Sequence, residues 1–180
     1  KEDVHFTAGD GTRLHGWYIP SAKAKATLLW FHGNAGNITH RLVNIEMLKP
    51  LNLNIFIFDY RGYGKSEGVP DEKGIYSDSQ AAYDWLVKDK NILPGEIILF
   101  GRSLGGICAI EMASTNPAAG IILESVFPSA RRMAEKFFPI LPLGWAIKSR
   151  FDAISKVRSL ELPKLFIHGT QDEIVPYKLG

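Results

Sequence analysis

The chain of 180 residues is 46% hydrophobic with a formal net charge of +2. That supplies apolar side chain for one core and excludes nucleic-acid binding driven by a global field. A single cysteine, Cys108, excludes an internal disulfide and points to a reducing, cytoplasmic compartment.

No run approaches 18 apolar residues, and no signal-peptide pattern opens the chain. The sequence starts at Lys1 and its first methionine is Met47. An upstream segment is therefore expected, which keeps membrane association through an N-terminal anchor open beside the cytoplasmic reading.

Two strands open the pattern, Val4–Thr7 and Leu14–Ile19, joined by Gly9-Asp-Gly11, a hairpin turn signal. Short apolar runs then read as buried strands: Thr27–His32, Asn54–Asp59, Glu96–Gly101, Gly120–Glu124 and Lys164–His168. Helix-length segments alternate with them. A helix begins near Asn37 or Ile38, and Asp71–Lys88 carries Ile75, Ala82, Trp85 and Leu86 near helical spacing. Ser103–Asn116 is mostly apolar and reads as sandwiched. This alternation predicts an α/β domain spanning 1–180, with a mostly parallel sheet covered on both faces and an antiparallel pair at its start. In such sheets ligands meet the loops at the C-terminal strand ends.

The motifs sit at those ends. Gly101-Arg-Ser103-Leu-Gly105 fits Gly-x-Ser-x-Gly between a strand and a helix. A sharp turn there lifts the serine oxygen clear of the sheet, and the helix N-terminus favours developing negative charge. An ordinary serine helix cap is the plainer account. His32-Gly-Asn-Ala-Gly-Asn37 can aim backbone N–H groups at an oxyanion. One donor is assigned to Leu104 and the other to Asn34 or Ala35. His32 reads as structural.

In Asp59-Tyr-Arg-Gly-Tyr-Gly-Lys-Ser66 a phosphate loop fails, because that motif requires glycine where Asp59 stands. Asp59 and Arg61 are expected to bond locally, with Tyr60 and Tyr63 lining a pocket. Asp172, after Lys164–His168, can accept a histidine N–H. An Asx turn is its plainer role, and Glu124 is the alternative acid.

Together the blocks "HGNAGN", "DYRGYGKSEG", "GRSLGG" and "HGTQDEIVP" resemble the α/β-hydrolase family over essentially the whole chain. The subgroup is similar to small α/β-hydrolase domain-containing proteins that include acyl-protein thioesterases. The resemblance implies the α/β-hydrolase fold with Ser103 as nucleophile and Asp172 as acid. It also implies carboxylic ester or thioester hydrolysis through an acyl-enzyme.

The family order continues to a histidine, yet His5, His15, His32, His40 and His168 all precede Asp172. A last helix and strand, roughly 25–30 residues with their connections, are expected to be missing. The lack of a histidine after Asp172 also leaves a non-catalytic binding or scaffold protein as the second class. No metal or organic cofactor is implied, since no ligand spacing is present.

Residues 125–163 fall where the family places its cap. They hold Phe127, Phe137, Phe138 and Trp145 as pocket candidates, with seven basic residues against three acidic. An acyl pocket resting peripherally on an anionic membrane is one reading, and a short helical cap with a solvated basic face is the other. The substrate expected is a small-molecule or lipid-like acyl ester or thioester, with no nucleic acid as partner. The sequence does not give the oligomeric state.

Overall fold

A computed structural model describes residues 1–129, 151 and 153–177. Seven strands form one sheet in the order β1-β2-β4-β3-β5-β6-β7. They are β1 (Glu2–Thr7), β2 (Arg13–Ile19), β3 (Thr27–Phe31), β4 (Asn54–Asp59), β5 (Ile97–Arg102), β6 (Gly120–Glu124) and β7 (Lys164–Ile167). The β1/β2 hairpin is antiparallel as expected, and β2 also runs antiparallel to β4. Every further pairing, from β4/β3 to β6/β7, is parallel.

Alternation along the central strands divides two cores. Leu29 and Phe31 of β3 join Phe56 and Phe58 of β4 on one face. There α2 (Glu72–Lys88) contributes Ile75, Ala82 and Leu86, and α3 (Leu104–Thr115) contributes Ile107 and Ile110. Leu28 and Trp30 meet Ile55 and Ile57 on the opposite face, under Ile45 of α1 (Leu42–Leu48). Asp71 starts α2 by accepting the Gly74 N–H at 2.6 Å, which satisfies one of the free amides of the first turn. A short helix, α4 (Ile154–Val157), precedes β7.

The prediction that Asp59 and Arg61 bond locally holds in part for Asp59, whose carboxylate accepts the Lys65 amide, and is corrected for Arg61. Asp59 accepts the amide of Ile38 at 2.9 Å, 21 residues away. Arg61 reaches back to Asp10 at 2.8 Å and forward to the fully buried Asp78 at 2.8 Å. The guanidinium needs carboxylates of its own once it is buried, and those lie on the β1/β2 turn and on α2. The loop after β4 is thereby tied to both. Phe137, Phe138 and Trp145, expected in the cap, lie outside the described residues.

Candidate active site

Ser103 stands between β5 and α3 with φ 52° and ψ −119°. A non-glycine residue at positive φ is strained, and close packing around it holds the strain. A Cβ at Gly105 would lie 1.9 Å from the Phe31 carbonyl oxygen, and one at Gly101 would lie 2.3 Å from that of Gly105. The Ser103 amide donates to the Glu124 carbonyl at 2.9 Å, fastening the turn to β6. The Ser103 side chain makes no capping hydrogen bond. The plain helix-cap account of this serine therefore does not describe it.

The loop after β3 faces this turn, since a Cβ at Gly33 would be 3.6 Å from that of Ser103. Three of its carbonyls are engaged in hydrogen bonds. His32 Nδ1 donates to the Gly33 oxygen at 2.8 Å, and Tyr60 Oη donates to the His32 oxygen at 3.0 Å. Arg41 Nη2 donates to the Ala35 oxygen at 2.5 Å. The loop ends in a capping box, with Asn37 Oδ1 accepting the Thr39 amide at 2.9 Å and His40 Nδ1 accepting the Asn37 amide at 3.1 Å. Among the described residues the amides of Asn34 and Ala35 have no acceptor. The Leu104 amide opens α3 beside Ser103, where first-turn N–H groups have no partner within the helix.

His32 is fully buried, and burial pushes its pKa down to about 4, with the Gly33 carbonyl opposing and the Arg41 charge adding to the shift. It is a neutral structural imidazole. Tyr60 is also fully buried. Its expected place on a pocket wall is corrected to support beneath the loop, because its hydroxyl is committed to the His32 carbonyl. Tyr63 is half-buried and donates to Asn34 Oδ1 at 2.5 Å. Phe127 is half-buried against the α2/α3 core.

Asp172 lies after β7, two strands from β5, which puts it about 10 Å across the sheet from the serine turn. Its Oδ1 accepts the amides of Val175 at 2.8 Å and Ile174 at 3.0 Å. Those bonds, led by Val175 and joined by the Ser125 hydroxyl, hold the carboxyl below its usual range. The Asx-turn account is thus realised, and it leaves Oδ2 at 3.8 Å from His168 Nε2. His168 Nε2 itself bonds the Val175 carbonyl at 2.7 Å. Glu124 instead faces Arg102, at 3.5 Å.

Sequence reasoning missed Ser125, which follows β6 at φ 49°, and the grip of Arg41 on the loop after β3. Neither has a local signal, since both act on residues brought near by the sheet. Among the described residues no histidine hydrogen-bonds Ser103, and no group of three metal-ligating side chains converges. No helix among them is long and apolar enough to cross a membrane.

The family model described as serine aminopeptidase, S33, matches residues 22–148. The chain is 38% identical to the alpha/beta hydrolase domain-containing protein WAV2 of Arabidopsis thaliana, over 97% of this chain and 63% of that one. It is 36% identical to YfhR of Escherichia coli, over 98% and 65%. It therefore spans about two thirds of the length of these relatives. The Pyrococcus furiosus esterase Pf2001 superposes with a TM-score of 0.81 at 25% identity, over 99% of this chain and 74% of that one. With a Gly-x-Ser-x-Gly turn at the head of a seven-stranded α/β sheet and these relatives over nearly its full length, the chain belongs to the α/β-hydrolase family.

Proposed function

We propose that the protein is a serine hydrolase that cleaves carboxylic ester or thioester bonds through an acyl-enzyme on Ser103. The observation that carries this is the Ser103 backbone at φ 52°, ψ −119°, with an uncapped hydroxyl beside amides that have no acceptor. In the proposed reaction the Ser103 oxygen attacks the acyl carbonyl. The tetrahedral oxyanion is held by the Leu104 amide and that of Asn34 or Ala35. The alcohol or thiol leaves with a proton, and water then releases the acid.

Asp172 is assigned to orient a histidine. The roughly 10 Å between the ends of β5 and β7 leaves room for an imidazole between serine and carboxylate. None of the histidines in these 180 residues occupies that place, so the base is assigned to the longer protein. Serine aminopeptidases, the family matched, and the esterase among the solved neighbours share this acyl-transfer chemistry. Ester substrates are favoured by the likeness to the Pyrococcus furiosus esterase.

A second reading, a non-catalytic binding protein of the same fold, rests on Ser103 having no histidine partner among the described residues. Intact mass of the full-length gene product before and after fluorophosphonate treatment decides between them. One adduct that disappears in Ser103→Ala supports the hydrolase. No adduct on folded protein overturns it.

A further inference from the structure

Beside the serine turn, on the sheet face under α1, lies a cavity of about 160 Å³. It is well beyond the roughly 10–15 Å³ that admits one water. Its floor is apolar, from Trp30, Phe100 and Leu48, and its rim carries Arg41, Arg102 and Glu124. The Trp30 and Phe100 rings pack at 5.2 Å, and Trp30 is only 3% exposed. The Trp30 indole N–H is nevertheless buried without a partner, a state costly enough to be uncommon in folded proteins.

The rim is equally incomplete. Two guanidiniums face one carboxylate, and Glu124 meets Arg102 only at 3.5 Å. Arg41 uses one N–H on the Ala35 carbonyl, and no other acceptor for it is found among the described residues. Burial, and then the Arg102 charge, hold the Arg41 guanidinium below its ordinary pKa, with Glu124 only partly offsetting them.

From this cavity we infer that the protein binds a small apolar carboxylate, aromatic or short-chain aliphatic, outside the serine cleft. The carboxylate is bound at Arg41 and Arg102, and its apolar body lies against Phe100 and Leu48 beside the edge of Trp30. An apolar floor alone selects no charge, and two arginines alone select no body. The pairing of the two selects the amphiphile. The inference stands apart from the proposed hydrolysis, which it neither needs nor uses.

Titration calorimetry of the full-length protein with benzoate tests it, with acetate and inorganic phosphate as comparison probes. One benzoate per chain is expected, bound more tightly than acetate or phosphate. The affinity is expected to be unchanged in Ser103→Ala and at least about tenfold weaker in Arg41→Gln, the loss that follows from removing a charge-assisted hydrogen bond. Near-ultraviolet circular dichroism confirms the fold of each variant. Any one of three results overturns the inference: no benzoate binding at millimolar concentration, equal binding in Arg41→Gln, or loss of binding once Ser103 carries a fluorophosphonate. The last result would place the ligand in the serine cleft and leave the proposed hydrolysis standing.

Discussion

The turn at Ser103 and the loop at Asp172 sit at the ends of strands two places apart, and they are held by opposite means. Around Ser103, backbone meets backbone at contact distance, and glycines at 101 and 105 leave no space for a side chain. Around Asp172, the carboxylate organises the loop through two amides of its own segment. All of β3 is buried at the centre of the sheet. A strained conformation persists only where surrounding packing over-determines it. The sheet centre provides that around Ser103, while the Asp172 loop is shaped by hydrogen bonds within its own segment.

The largest expected contrast is in activity of the full-length protein. Ser103→Ala lowers turnover on the order of 10⁶-fold, and Asp172→Asn about 10⁴-fold, under the proposed mechanism. Steady-state hydrolysis of a chromogenic ester measures both. Equal turnover in Ser103→Ala and the parent would remove the serine from the chemistry.

Packing separates the two loops next. Gly105→Ala drives a methyl into the Phe31 carbonyl, which is backbone and cannot rotate aside. A cost of about 3 kcal/mol or more is expected in urea unfolding. Asp172→Ala removes the acceptor of two amides and costs about 1 kcal/mol. Asp172→Asn keeps that acceptor and stays near the parent in the same measurement. An Asp172→Ala loss as large as that of Gly105→Ala would show that the two loops are not held differently.

A pH series probes the loop behind Ser103. His32 stays neutral in the fold down to about pH 4, whereas an exposed histidine takes its proton near 6.5. Between these values the unfolded chain binds the additional proton, so stability falls as pH drops from about 6.5 to 4. The full difference is on the order of 3 kcal/mol. His32→Gln is expected to flatten that slope in urea titrations at successive pH values. A slope unchanged in the variant would assign it to other groups.

Ser103→Gly gives the smallest effect. It relieves a positive φ at the cost of backbone entropy in the unfolded chain, for a net gain of up to about 1 kcal/mol. Thermal melts measure it, and a loss of stability would show that the Ser103 backbone is not strained.

How legible these features were depended on how local their causes are. The hydrophobic runs and the glycine spacing of the serine turn lie in consecutive residues, so strand positions, the α2 and α3 helices and the family resemblance could be read directly. The long-range bonds of Asp59 and Arg61 could not be placed that way. Their partners are Ile38, Asp10 and Asp78, joined only when the sheet assembles. Tyr60 misled for the same reason, since an aromatic after a strand end reads alike whether it lines a cleft or supports a loop from below.

The sequence by itself determined the α/β order, the antiparallel opening and a serine set among glycines, because periodicity and steric need act between near neighbours. Only the tertiary structure decided that the Ser103 hydroxyl is uncapped, that three carbonyls of the loop after β3 are hydrogen-bonded, and that Trp30 is buried beside two arginines with its N–H unpaired among the described residues. Each of these depends on which strands lie side by side. That order is set by the pairing of β3 between β4 and β5, which burial of both sheet faces selects over the whole chain at once.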